Sequence, residues 1–405
     1  MGKIVFIMDV EEGHILPTFT LAQSLKDRGH EVLYLSIADN EVFVRKQGFD
    51  FYPIFLDKYP KGYREAYKRR NANIPGTATS NDTHIWEIAE GAYDELIASL
   101  KADLFIVSTF LRIDMLALYY RYGISPVVFT PYLRDAGVTT AIDCMDEFMK
   151  APGEESMKFI EFLLSSGAVF STLKDLVQPF DTFCELVACP RELEIATDHI
   201  PPNIHHIGPS VRTESGQGDH LPLDKIKGNR KLIYASMGSQ AISYKYVCRS
   251  FFQKMIDVMK DIELSDYHLV LSVGPEFDEM TFSLVPENVT VVRWISQIEV
   301  LKYAVLAITH GGMGTIKECI YYGVPMIVLP LSRDQPSNAV RVQHHRLGLS
   351  APIHGLTGSL LYSLIMDVLN SVEIGENIHK MKTIFQYKQA SCPGADIVEH
   401  LLMKA

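Results

Sequence analysis

Between residues 294 and 335 the chain gathers side chains able to hold a phosphorylated, hydroxyl-rich ligand. Its centre is Thr309-His310-Gly311-Gly312-Met313-Gly314-Thr315, with the apolar run Ala304–Thr309 before it and a helix-compatible stretch to Tyr322 after it. That pattern predicts a strand, a glycine turn over His310–Gly314 and a helix over Thr315–Tyr322. The first turn of a helix has unpaired backbone N–H groups and positive dipole charge, which suits an anion. Gly311, Gly312 and Gly314 let the backbone approach a phosphate closely. His310 and Thr315 add side-chain donors at the same point, and Glu318, one turn further on, can accept hydrogen bonds from sugar hydroxyls. Trp294 and Gln297 precede the turn, Trp294 with a face on which a base can stack. Asp334-Gln335 closes the stretch.

Two more constellations follow apolar strands. Ser236-x-Gly238-Ser239 comes after Leu232–Met237 and forms a short turn whose N–H groups and hydroxyl suit a phosphate. Gly13-His14-x-x-Pro17 comes after Lys3–Met8. Pro17 fits the first turn of a helix. His14 should then stand just ahead of that helix, whose positive end keeps the imidazole neutral and able to take a proton from a hydroxyl.

The block from Trp294 to Asn338 resembles the nucleotide-sugar signature of family 1 glycosyltransferases, which have the GT-B fold. The resemblance implies an α/β protein of two Rossmann-like doubly wound domains facing a central cleft. It implies that Trp294 stacks on the base, Glu318 holds the ribose, His310 and Thr315 grip the diphosphate, and Asp334 and Gln335 hold the sugar hydroxyls. Ser236–Ser239 is similar to the family's S-x-G-[ST] loop, in which Gly238 and Ser239 approach the diphosphate. His14 occupies the position of the family's catalytic base. Ser296 stands where plant members have Pro before the Gln. The H-G-G-x-G-T and D-Q pattern is similar to that of bacterial members, which glycosylate polyketides, carotenoids and other small apolar acceptors. The family works without a metal or other cofactor, with the UDP- or dTDP-sugar as co-substrate, and no Asp-x-Asp cluster stands at a strand end here. Plant relatives orient the His with an Asp after a later strand. The matching stretch, Val107-Ser108-Thr109-Phe110, has no carboxylate. Asp114 is the candidate partner, with a hydroxyl of Ser108 or Thr109, or an unassisted His14, as alternatives.

The elements that must position these residues alternate in type. Strands are predicted at Lys3–Met8, Glu31–Leu35, Phe51–Ile54, Leu104–Val107 and Val127–Thr130, with helices over Leu16–Arg28, Ile85–Leu100 and Leu111–Tyr122 between them. Such alternation implies a parallel sheet. Asp57–Thr83 and the long Phe- and Met-rich stretch Tyr132–Ala188 interrupt it, the second suiting an acceptor pocket. Gly208–Arg230 is poor in apolar residues and reads as a linker. The second half restarts with strands at Leu232–Met237, His268–Val273, Val289–Val292, Ala304–Thr309 and Met326–Leu329. The domains are accordingly set at 1–210, 231–385 and a linker over 211–230. Residues 386–405 carry an amphipathic helix expected to cross back to the first domain.

The 405 residues carry a net charge of −11, which disfavours a nucleic-acid partner. The N-terminal apolar run is broken by Asp9, Glu11 and Glu12 and does not resemble a targeting signal. No run approaches a membrane span. A cytoplasmic protein, monomeric or homodimeric and free of integral membrane association, is expected. The six Cys show no ligand spacing and suit buried thiols. The basic residues Lys58, Lys61, Arg64, Lys68, Arg69 and Arg70 form either a solvated loop or a surface for an anionic partner. The expected activity is inverting transfer of a sugar to a small, largely apolar acceptor. The rival readings are a nucleotide-sugar epimerase of the same fold and a non-catalytic auxiliary protein.

Overall fold

The computed structural model describes residues 1–70, 84–134, 153–195, 200–213, 221–239, 241–275, 277, 282 and 284–404. Parts of the interruptions at 57–83 and 132–188 and of the linker lie outside these residues. The first half forms one sheet from β1 (Lys3–Ile7), β2 (Glu31–Ser36), β3 (Asp50–Pro53), β4 (Leu104–Ser108), β5 (Val127–Thr130), β6 (Glu185–Val187) and β7 (Ile204–His206). Its order is β3-β2-β1-β4-β5-β6-β7 and its pairings are parallel. The cause is visible in β1, where Ile4, Val5, Phe6 and Ile7 are all fully buried. A strand apolar on both sides needs cover on both. Ile4 and Phe6 pack with Leu21 and Leu25 of the Thr18–Asp27 helix. Val5 and Ile7 pack with Met115 and Leu116 of the Arg112–Tyr122 helix on the other face.

The second half repeats the plan with β8 (Lys231–Ser236), β9 (Tyr267–Ser272), β10 (Val289–Val292), β11 (Ala304–Thr309), β12 (Met326–Val328) and β13 (Gly348–Ser350). The order is β10-β9-β8-β11-β12-β13, again parallel. Leu232 and Tyr234 face one core layer and Ile233 and Ala235 the other. The Pro393–Leu402 helix lies against the Thr18–Asp27 helix. It buries Ala395 and Val398 in the first domain's core, and Arg28 ties to Asp396 and Glu399 at 2.6 and 2.8 Å.

Three strands had no sequence counterpart: β6, β7 and β13, each of three residues. They are too short to show a period, and pairing with an existing edge makes them strands. The single helix expected over Ile85–Leu100 is two, Ile85–Ala89 and Asp94–Leu100, separated at Gly91 with φ of 87°.

Strand order fixes where a ligand can bind. In each sheet the chain runs outward in both directions from a central pair, β1 beside β4 and β8 beside β11. The loops leaving the C-terminal ends of such a pair diverge and leave a crevice. The His14 loop leaves β1, Ser108 ends β4, Gly238 follows β8 and the His310 turn follows β11. All four constellations therefore arise at the two switch points.

The two edges face one another. Lys317, on the Met313–Tyr322 helix after β11, donates to the carbonyls of Pro131 after β5 and Ala188 after β6, at 3.3 and 2.7 Å. Arg341, on the Gln335–His344 helix, donates to Arg134 O and reaches Glu194 Oε2 at 3.2 Å.

Candidate active site

His14 lies in a single-turn helix, Glu12–Ile15, and not at the entrance of the long helix that follows. Its Nδ1 is 2.8 Å from Asp9 Oδ1. Asp9 stands just past the end of β1 and is 8% exposed, and the chain turns back over five residues to present its own histidine to it. The other carboxylate oxygen accepts from the Ser108 hydroxyl at the end of β4, and Asp9 Oδ1 also accepts from the Glu11 N–H at 2.9 Å. A carboxylate on Nδ1 fixes the tautomer with the proton there, leaving Nε2 as a proton acceptor.

The electrostatics correct one expectation. Burial lowers the imidazole's proton affinity, but the charge and hydrogen bond of Asp9 outweigh it and hold His14 above its ordinary value. The expected neutralisation by a helix N-terminus does not prevail. Burial pushes Asp9 up, while His14, Ser108 and the Glu11 N–H bring it below the usual carboxylate range. The ring of Phe110 stacks on His14 with centroids 4.0 Å apart and planes 11° apart. Tyr132 continues this aromatic wall, 5.5 Å from Phe110.

Asp114 does not partner His14. It is 1% exposed in the Arg112–Tyr122 helix, with both carboxylate oxygens on His84 Nε2 at 2.8 and 2.9 Å, and it accepts from the Tyr93 hydroxyl. The helix turns its side chain toward Tyr93 and His84. The partner is Asp9, and the useful signal was a strand-end carboxylate followed by a histidine in the same loop. The basic segment also has a local task. Arg64 donates through Nε to Val10 O at 3.0 Å and also bonds Asn40 Oδ1. Buried Asn40 in turn donates to Asp9 O at 3.0 Å. Arg64 thus braces the loop that carries Asp9 and His14.

Across the cleft, the His310 ring lies between two glycines. A Cβ on Gly238 would sit 2.3 Å from its Cε1, and one on Gly312 would sit 2.7 Å from its Nε2. This contact brings the β8 turn and the β11 turn together. Burial alone pushes His310 down to about 4, so the ring is neutral at ordinary pH and acts as a hydrogen-bonding group. The Met313–Tyr322 helix starts two residues earlier than the pattern suggested, with Gly312 just before it, and no side chain caps it. Its first-turn N–H groups, with Gly314 and Thr315 among them, have no intrahelical acceptors. Ser239 is exposed beside this turn.

Glu318 is 8% exposed on the same helix. Gln297 Nε2 donates to its Oε2 at 2.6 Å and lies 3.3 Å from Thr315 Oγ1. Burial raises the Glu318 carboxyl, and Arg212, Gln297 and Lys317 oppose it without cancelling it. Trp294 is 41% exposed. Asp334 accepts from Asn338 Nδ2 at 2.7 Å, and the same amide donates to Gly311 O at 3.0 Å. Asn338, fully buried, therefore ties the glycine turn to Asp334. Gln335 spends its Oε1 on the N–H groups of Leu331 and Ser332, at 2.8 and 3.0 Å. Burial raises Asp334, and His14 from the opposite domain is among the charges that lower it, so the two lie within electrostatic reach. Among the described residues no group of three or more His, Cys, Asp or Glu is arranged to hold a metal ion. No helix among them is long and apolar enough to cross a membrane.

Residues 272–391 match the family described as UDP-glucoronosyl and UDP-glucosyl transferase. The chain is similar to the UDP-glucosyltransferase YojK of Bacillus subtilis, with 25% identity over 96% of this chain and 94% of that one. Its fold is similar to that of the kitacinnamycin glycosyltransferase, with a TM-score of 0.74 and 24% identity over 99% of both chains. It is also similar to that of the calicheamicin glycosyltransferase CalG4, with a TM-score of 0.73 and 19% identity over 100% of this chain and 99% of that one. These solved neighbours identify the architecture as GT-B.

Proposed function

We propose that this chain of GT-B fold is a glycosyltransferase of family 1 type, and that it performs inverting transfer of a sugar from a UDP- or dTDP-sugar to a hydroxyl of a small, largely apolar natural product. The observation that carries the reading is the Asp9–His14 pair at one switch point, facing the glycine turn and His310 at the other. The acceptor hydroxyl gives its proton to His14 Nε2 while its oxygen attacks the anomeric carbon. The bond from that carbon to the diphosphate oxygen breaks, and the electron pair leaves with the diphosphate. Attack from the face opposite the leaving group inverts the centre. Asp9 stabilises the imidazolium that forms. Neutral His310, Ser239, Thr315 and the first N–H groups of the Met313–Tyr322 helix are placed to meet charge on the departing diphosphate. Glu318, Gln297 and Trp294 serve the nucleoside, and Asp334 and Gln335 the sugar. Phe110, stacked on His14, and Tyr132 beside Phe110 favour an apolar acceptor. The names of the glycosyltransferases with similar folds point to natural-product acceptors.

Calorimetry with UDP and dTDP in EDTA tests the donor half, and binding should persist without metal. Strict metal dependence, or no binding of either nucleotide, would overturn it. Incubation with a UDP-sugar and dTDP-sugar panel and polyketide or phenolic acceptors should yield a glycoside of inverted anomeric configuration by NMR.

A further inference from the structure

The segment joining the domains passes the donor site with a defined geometry. Gly208 has φ of 103°, and a Cβ there would sit 2.9 Å from Lys388 O. Ser210 is 8% exposed with φ of 50°. Val211 is held at both backbone groups by one side chain: its N–H donates to Gln389 Oε1 at 2.9 Å, and its carbonyl accepts from Gln389 Nε2. This clamp on the Val372–Ser391 helix delivers the next residue, Arg212, to the ribose end of the proposed site, where its guanidinium lies 3.6 Å from Glu318 Oε1. Gln297 holds the other oxygen at 2.6 Å.

We propose that Arg212 is a positioning residue of the nucleotide site: it holds the Glu318 carboxylate as a charged acceptor aimed at a ribose diol, so that the site selects ribonucleoside over 2′-deoxyribonucleoside diphosphates. The proposal rests on the donor-site reading above and adds to it a residue from the interdomain segment and a preference between the two donor classes. A charged carboxylate flanked on both oxygens keeps lone pairs for two hydroxyl donors, and a 2′-deoxy sugar supplies one donor fewer. The contact at 3.6 Å is loose enough to leave Oε1 accessible. Without the guanidinium, burial favours the protonated acid, a poorer acceptor. Among the described residues, the other ionisable groups coupled to Glu318 include Lys317, Cys319 and Tyr322 on its own helix and Tyr234 on β8. Of these only Lys317 brings positive charge, and its Nζ is engaged by Pro131 O and Ala188 O.

The test is calorimetry with UDP and dUDP, which share a base and differ only at the 2′ position, on wild type, Arg212→Ala and Arg212→Lys between pH 5.5 and 8.5. Wild type should prefer UDP by roughly 10-fold or more, the scale of one hydrogen bond to a charged group. Arg212→Ala should bring the two affinities together at the acid end and recover the preference as pH rises. Arg212→Lys should restore it throughout. A residue that merely shaped the linker would weaken both nucleotides equally. An unchanged UDP-to-dUDP ratio with no new pH dependence in Arg212→Ala would overturn the proposal. If Glu318→Gln then erases the preference, the donor-site reading survives and only the role of Arg212 falls. If wild type binds neither nucleotide, both fall.

Discussion

The proposed base is made by its loop. His14 draws its partner from five residues upstream, so the pair is local in sequence and needs β4 only for the Ser108 hydroxyl. His14→Ala should leave UDP affinity nearly intact, because the proposed nucleotide groups belong to the other domain, and lower turnover by about 10²–10⁴-fold. A base works when deprotonated, so kcat/KM should rise with pH through the His14 titration. Asp9 raises that titration, and the wild-type inflection should lie above the ordinary imidazole value. Asp9→Asn removes the opposing charge and leaves burial, which lowers proton affinity. Its inflection should move to lower pH while the plateau falls, and a pH–rate profile of both proteins checks this. An unmoved inflection would remove Asp9 from the role. His14 stood out in the sequence because a glycine-histidine pair after a strand is a compact signal. Asp9 was not, because a carboxylate ending an apolar run also reads as a simple interruption. Whether Asp114 faced the loop or the helix interior depended on a rotation about the helix axis that one residue cannot reveal.

At the scale of elements, the proposed donor turns leave room for a side chain. His310 occupies space that exists because Gly238 and Gly312 lack a Cβ, and Gly238 also has φ of 73°. Gly238→Ala should displace the imidazole and strain the β8 turn by about 1–3 kcal/mol. The expected result is loss of measurable UDP binding with a modest fall in the denaturation midpoint, read by calorimetry and urea titration. Retained binding would mean that His310 can move without consequence. The long, strongly apolar strands and the glycine turn were readable because their periods and breaks repeat over many residues. The three-residue strands β6, β7 and β13 were not, since hydrogen bonds to a neighbouring edge define them. Asn338 escaped notice for the same reason: its importance lies in joining Gly311 to Asp334.

At the scale of the molecule, the helix that begins at the glycine turn also touches the other domain. Lys317 is 1% exposed, and burial pushes its ammonium down to about 8. The folded protein therefore binds fewer protons there than the unfolded chain between about pH 8 and the ordinary lysine value of 10.5. Stability contributed by this residue rises with pH across that window, by about 3 kcal/mol in all. Chemical denaturation of wild type and Lys317→Met should show the wild type gaining relative to the variant as pH climbs from 8 to 10.5. A constant difference would show that the amine is not held in a dry contact. Five thiols are unpaired among the described residues, and burial raises Cys189 and Cys248 to about 12, so these two remain protonated through the same range.

The Pro393–Leu402 helix carries a consequence for synthesis. It fills the first domain's core with Ala395 and Val398, and Gly394 sits within van der Waals reach of Ile207. The core of the first domain is therefore not complete until residue 398 has been made. Until then its groove beside Leu21 and Leu25 is an apolar surface awaiting a segment still inside the exit tunnel. Ribosome-bound chains halted before residue 393 should hold this domain in a protease-sensitive state, and chains released beyond residue 402 should not. Supplying residues 386–405 as a separate peptide to the truncated chain should restore protection, and failure to do so would show that the first domain matures alone.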